Sequence, residues 1–178
     1  RFFPSGTIHV AVVDPGVGTG RKAVALRADA HFFVVPDNGL VSLVTAETPA
    51  AEIVELTERK YFLQDVSRTF HGRDIFSPAA AHLATGVPID QLGPPVSDPV
   101  TLPFPRLEVG DNLIRGEVLH ADHFGNVITS IGRLVWTGGE LSLDPVFQGP
   151  FDRKVRFGAG KALVTVRDRE IARLHRTY

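Results

Sequence analysis

The sequence predicts an α/β N-terminal domain followed by a small all-β, barrel-like C-terminal domain. Three observations carry this reading. Residues 1–92 alternate strand-length apolar runs with helix-spaced segments. Residues 93–105 read Gly-Pro-Pro-Val-Ser-Asp-Pro-Val-Thr-Leu-Pro-Phe-Pro, which sustains neither a helix nor a central strand. Beyond them come short strands broken by glycine turns. The expected boundaries are an α/β domain at 1–92, a Pro-rich linker at 93–106 and a β domain at 107–178.

The elements follow in order. Residues 7–13, Thr-Ile-His-Val-Ala-Val-Val, form a near-continuous apolar run ending in Asp14-Pro15-Gly16, which predicts a buried strand and a turn. Residues 23–27 and 31–35 read as two strands joined by a short turn at 28–30. Asp37 is a plausible N-cap for a helix over 39–46, with Leu40, Leu43 and Val44 at helical spacing. Residues 51–56 read as a further strand. Residues 76–85 predict a second helix, with Pro78 in its first turn and Gly86 just past its end. In the second part, strands are expected over 113–120, 126–131, 155–157, 162–166 and 170–175.

Composition narrows the function. The 178 residues are 43% hydrophobic and 22% charged, as in a globular chain. A net charge of −1 removes the basic footprint of a dedicated nucleic-acid binder. The absence of Cys excludes disulfides, thiolate metal sites and cysteine nucleophiles. No apolar run reaches the ~18 residues of a membrane span, so a cytoplasmic, membrane-free protein is expected. A chain that opens on Arg1 and contains no Met is expected to be processed or part of something longer.

Four polar clusters sit at the ends of apolar segments. The first is Asp14-Pro-Gly-Val-Gly-Thr-Gly-Arg21-Lys22. A phosphate-loop reading fails, because Ala23 stands where the Walker hydroxyl belongs and a strand follows instead of a helix. The glycines would let the backbone approach a ligand, with Asp14 and Arg21 framing it; the alternative is a glycine turn with a surface ion pair. The second is Pro36-Asp37-Asn38-Gly39, where Asn38 has the chemistry to bond a ligand and turn formation is the plainer reading. The third, Phe70-His71-Gly72-Arg73-Asp74, places an aromatic, an imidazole able to hold a proton, and an ion pair just before a helix. Its structural alternative is a capping Asp74 and a partly buried His71. The fourth, Asp122-His-Phe124-Gly-Asn126, offers a carboxylate, an aromatic face and an amide, or simply a hairpin turn. His9, His31, His82, His120 and His175 stand singly and read as structural or surface groups. No metal is expected: neither HExxH nor facial-triad spacing appears, and His71 and His82 lie too far apart along one helix to converge.

Together these clusters resemble one family, the S-adenosylmethionine (SAM) hydroxide adenosyltransferases. These are adenosine-forming SAM hydrolases related to SAM-dependent chlorinases and fluorinases. The matching segments are 3–10 (Phe-Pro-Ser-Gly-Thr-Ile-His-Val), 13–19 with Arg21, 36–39, 70–74, and Asp122 with Phe124, Gly125, Asn126 and Thr129. The resemblance implies a homotrimer, with SAM between the N-terminal domain of one subunit and the C-terminal domain of its neighbour. It implies catalytic roles for Asp14, Arg21 and His71. It implies substrate binding by Asn38, Phe70, Gly72, Arg73, Asp122, Phe124 and Asn126, with Asp122 taking the methionine ammonium. SAM is then the substrate, and no cofactor is expected. The halogenating relatives typically carry Tyr at the position of His71 and an aromatic at that of Asp14. Gly72 matches the chlorinase, but His71 with Asp14 favours water.

The implied chemistry is displacement at ribose C5′ by water or hydroxide held by Arg21 and His71, with Asp14 orienting them and accepting a proton. The products are adenosine and L-methionine. The leaving group is a neutral thioether and needs no acid, so positioning an in-line oxygen is the main task. The alternatives are a SAM-dependent halogenase and a non-catalytic fragment that binds SAM or adenosine. Two departures bear on this. Family members open with a Thr-Asp-Phe-Gly strand and close with an Asn-Ser-x-Gly-x-Leu-Glu segment. Neither is found in this sequence, so both domains are expected to be partial, the first lacking its initial strand.

Overall fold

The computed structural model describes residues 3–110, 113–137, 140–145, 147, 155–158 and 163–171. The chain divides into two compact units, Arg1–Pro103 and Phe104–Tyr178.

The first unit is built on a four-stranded mixed sheet: β1 (Ile8–Val10), β2 (Ala23–Ala28), β3 (His31–Pro36) and β4 (Glu52–Glu55), in the order β1-β3-β2-β4. β2 and β3 form an antiparallel hairpin with Ala28 opposite His31 and a positive φ of 50° at Asp29. β1 runs parallel to β3. β2 is buried on both faces because its alternate residues feed two cores. Ala23 and Ala25 join Val34, Phe76, Ala79 and Leu83 on one face. Val24 and Leu26 join Val35, Val41 and Ile53 on the other. Helix α2 (Ser77–Ala84) supplies the first face and the loop leading into α1 (Ser42–Glu47) the second.

β1 departs from the buried strand expected over 7–13. It is shorter, Ile8–Val10, and among the described residues β3 is its one neighbour in the sheet, which leaves Val10 43% exposed; Val13, beyond the strand, is 64% exposed. The first helix departs too. Gly39 has φ +90° and its α-carbon abuts Leu102, a left-handed conformation that no helix accommodates, so α1 begins only at Ser42. Asp37 is therefore no N-cap. It is buried and accepts the Val100 amide at 2.9 Å. Leu40 and Leu43 face outward, and Val41 and Val44 pack inward instead. α2 has Pro78 in its first turn and ends before Gly86 at φ +94°, as expected. It is preceded by a wider π-helical turn, Gly72–Phe76, in which the Ser77 amide reaches back to the Gly72 carbonyl. The Pro-rich stretch after residue 93 runs beside β4: the Glu55 amide donates to the Pro94 carbonyl and the Val96 amide to that of Ile53.

The second unit consists of small antiparallel sheets. β5 (Leu107–Val109) pairs with β6 (Ile114–Gly116), and β7 (Val118–Ala121) with β8 (Val127–Thr129). β9 (Arg133–Thr137), β10 (Glu140–Asp144) and β11 (Val155–Gly158) form a three-stranded sheet, and β12 (Thr165–Val166) pairs with β13 (Arg169–Glu170). The strand expected over 170–175 lies mostly outside the described residues. β5, β9 and β10 are additional strands; β5 and β10 alternate polar and apolar residues, and β9 holds only a short apolar stretch. Ser130 anchors this unit. Its buried hydroxyl donates to the Arg106 carbonyl at 2.6 Å and accepts the Glu117 amide at 2.8 Å.

Candidate active site

One end of the first sheet gathers the polar clusters. Parallel β1 and β3 both finish there, and antiparallel β2 begins there, since Ala23 lies opposite Pro36. The chain therefore leaves β1 at Asp14, enters β2 from Arg21 and leaves β3 at Asn38, all at the carboxyl end where α/β sheets bind ligands.

Arg21 is the hub. Its Nε donates to Asp14 Oδ1 at 2.9 Å and its Nη2 to Asp14 Oδ2. The same Nη2 lies 3.0 Å from His71 Nδ1, and Nη1 donates to the Lys22 carbonyl at 3.3 Å. The guanidinium carbon stands 5.2 Å from the centroid of the fully buried Phe76 ring, in cation–π contact. The ion pair is nearly buried, at 10% exposure for the Arg21 side chain and 5% for Asp14. Arginine has only donors, so His71 Nδ1 must accept, and the ring proton then sits on Nε2. Four of the five guanidinium N–H groups are engaged; the fifth, on Nη1, has no protein acceptor among the described residues. Asp14 gives both oxygens to Arg21, which makes it an orienting group.

The glycine loop between Asp14 and Arg21 folds on its own chain. Val17 and Thr19 amides donate to the Asp14 and Gly16 carbonyls. Gly18 has φ +77°, and a β-carbon there would stand 2.8 Å from the Arg68 carbonyl oxygen. At Gly18 the close backbone approach is thus to the Arg68 carbonyl.

His71 is set by the turn that precedes α2. Asp74, fully buried, accepts the Ser67 amide at 2.8 Å and the Arg73 Nε at 2.6 Å. Arg73, together with the Ser67 amide, holds the Asp74 carboxyl well below the usual carboxylate range. Asp74 makes no side-chain cap to α2 and stitches the 67–74 loop instead. The Phe70 amide donates to Ser67 Oγ, and the Arg73 guanidinium lies 5.0 Å from the Phe70 ring centroid. Phe70 itself is 60% exposed, and the Gly72 α-carbon faces Val12.

Asn38 Nδ2 donates to the Val13 carbonyl at 2.8 Å. In the second unit, Asp122 organises its own turn. Its carboxylate accepts the Phe124 amide, the Asn126 amide at 2.8 Å and Asn126 Nδ2 at 2.6 Å. These bonds, Asn126 first, pull its titration below the usual carboxylate value. Phe124 projects at 90% exposure.

The structure thus joins Asp14, Arg21 and His71 in one hydrogen-bonded chain. Asn38 stands beside Asp14; Phe70, Gly72 and Arg73 belong to the loop that carries His71. Asp122, Phe124 and Asn126 form their own cluster in the second unit. Ser67 and Phe76 join the site without a sequence signal: Ser67 carries no motif, and Phe76 looks like any core aromatic at a helix start. Nor do His9 and His31 stand singly. The His9 ring stacks on Phe33 at 4.8 Å and lies 5.6 Å from that of His31. Among the described residues, no group of three or more His, Asp or Glu side chains could hold a metal ion, and no helix is long and apolar enough to cross a membrane.

A family model for the SAM hydroxide adenosyltransferase N-terminal domain matches residues 1–93. The chain is 50% identical over 123 residues to the (R)-S-adenosyl-L-methionine hydrolase of Salinispora tropica, covering 67% of this chain and 47% of that protein. It is 41% identical over 160 residues to the hydrolase of the same name from Thermus thermophilus, covering 78% and 58%. Among solved structures, a conserved protein from Thermotoga maritima, described as uncharacterized, aligns with a TM-score of 0.65 at 42% identity, covering 73% of this chain and 50% of that one. The chain spans about half the length of the curated relatives it matches.

Proposed function

The chain belongs to the SAM hydroxide adenosyltransferase family, and from that premise we propose that its protein hydrolyses S-adenosyl-L-methionine at ribose C5′, giving adenosine and L-methionine. The observation that carries this is the Asp14–Arg21–His71 chain at the carboxyl end of the sheet. Asp14 fixes the guanidinium plane. The remaining Nη1–H of Arg21 and the Nε2–H of His71 are the donors assigned to hold the attacking oxygen, and a fixed cation favours its hydroxide form. The new bond runs from that oxygen to C5′. The C5′–S bond breaks, its electron pair neutralises the sulfonium, and the proton that the water gives up in becoming hydroxide passes to solvent.

Substrate contacts are assigned to Phe70, Gly72 and Arg73 in the first unit and to Asp122, Phe124 and Asn126 in the second. The exposed Phe124 ring suits an adenine or methionyl face, and the Asp122 carboxylate suits an ammonium. The family reading further brings a barrel-like closure of the second unit and a homotrimer with the site between subunits. Light scattering on the purified protein tests the trimer. The relatives' names specify the (R) sulfonium epimer, and we assign that epimer as the preferred substrate. Both epimers release the same thioether, so discrimination rests on how the methyl and methionyl arms are bound; rates on separated epimers test it.

The decisive measurement is adenosine release from SAM by the wild type and by His71→Ala. The expected loss in the variant is about 10²-fold or more, the scale of a lost group that positions the nucleophile or manages its proton. Undiminished release would remove His71 from the reaction. Chlorodeoxyadenosine formed in chloride would point to a halogenase instead, and SAM binding without turnover to a binding module.

A further inference from the structure

Both ends of the Asp14–Arg21 loop rest on one dipeptide. At the leading end, Asn38 Nδ2 donates to the carbonyl of Val13, the residue before Asp14, at 2.8 Å. At the trailing end, the Asp37 amide donates to the carbonyl of Lys22, the residue after Arg21, at 2.9 Å. That Lys22 carbonyl also accepts Arg21 Nη1. The dipeptide is itself fixed. The Asp37 carboxylate is buried and accepts the Val100 amide, the Asn38 amide donates to the Pro36 carbonyl, and Asn38 Oδ1 accepts the Leu40 amide at 3.3 Å.

We infer that Asn38 is a positioning residue, which clamps the base of the loop so that Asp14 presents both oxygens to Arg21 and Arg21 in turn meets His71. This deepens the hydrolase reading and rests on it for its kinetic consequence. It also replaces the substrate-contacting role that the resemblance implies for Asn38. A carboxamide is needed because the Val13 carbonyl demands a donor and the Leu40 amide an acceptor, and Asn supplies both on one short arm. Asp in the same shape supplies only the acceptor.

The test compares full-length wild type, Asn38→Asp and Asn38→Ala in two readouts. In steady-state kinetics, kcat falls about tenfold in both variants while KM for SAM stays within about twofold, since a shifted loop misplaces the reacting groups and leaves ground-state binding alone. In ¹⁵N NMR, the Arg21 Nε–H held by Asp14 exchanges with solvent about tenfold faster in both variants, the scale of one lost hydrogen bond. A raised KM with unchanged kcat would make Asn38 a substrate contact, and unchanged Arg21 exchange would remove the clamp. If the wild type released no adenosine, the hydrolase reading would fall, yet the Arg21 exchange comparison would still decide the clamp.

Discussion

Arg21 Nη2 lies 3.0 Å from His71 Nδ1, a contact that spans fifty positions of sequence and joins the β1–β2 loop to the turn before α2. It fixes a tautomer as well as a distance. A guanidinium accepts nothing, so the imidazole accepts through Nδ1 and carries its proton on Nε2.

Arg21→Lys tests that relationship directly. Lysine keeps the positive charge but loses the planar fork that serves Asp14, His71 and Lys22 together. Adenosine release is expected to fall about 10²-fold or more. Initial rates at saturating SAM check this; near-wild-type rates would mean that charge alone suffices.

Asp14→Ala removes one partner of an ion pair that is at least nine-tenths buried on both sides. Leaving Arg21 uncompensated is expected to destabilise the first unit by ~3–5 kcal/mol. Adding Arg21→Met should recover much of that loss, because the double change leaves no buried charge. Urea titrations of the wild type, the single and the double variant check the sign of the coupling.

Gly18→Ala puts a side chain on a residue at φ +77°, with its β-carbon 2.8 Å from the Arg68 carbonyl oxygen. Backbone does not yield as a flexible side-chain tip would, so the expected cost is ~1–3 kcal/mol. Gly20→Ala is the control: it meets nothing within 4 Å and its φ is not in the left-handed region. Equal denaturation midpoints for the two variants would contradict the tight approach.

The sequence made the members of the site visible and left their roles unsettled. Asp14, Arg21 and His71 fall in chemically marked clusters, but no spacing rule says that residues 21 and 71 touch. β2, β3 and α2 were legible because continuous apolar runs, a Pro in the first turn and a terminal Gly are local signals. The start of α1 was not, because it depends on Leu102 lying against Gly39 and on Val100 claiming Asp37. The exposure of β1 was hidden for a related reason: an apolar run looks the same at a sheet edge as at its centre. The role of Asn38 needed the Val13 carbonyl, which no side-chain pattern reveals.

Asp74 links the loop to acid stability. Its folded-state titration is depressed well below the ordinary 3.8, chiefly by the Arg73 hydrogen bond and then by the Ser67 amide. A depressed carboxylate stabilises the fold while the unfolded chain is also ionised, above about pH 4. As pH falls below that value the unfolded chain takes up the proton first, and the contribution is lost progressively toward the folded-state value. Asp122 is shifted in the same direction and adds to the acid limb. Asp74→Asn keeps an acceptor for the Ser67 amide but gives up the ionised partner of Arg73. The variant should be less stable than wild type at pH 7, and the gap should narrow as pH drops from 4 toward 2. Thermal melts across pH 2–7 check this. A gap of constant size would show that Asp74 holds the His71 loop by shape alone, without linkage to its proton.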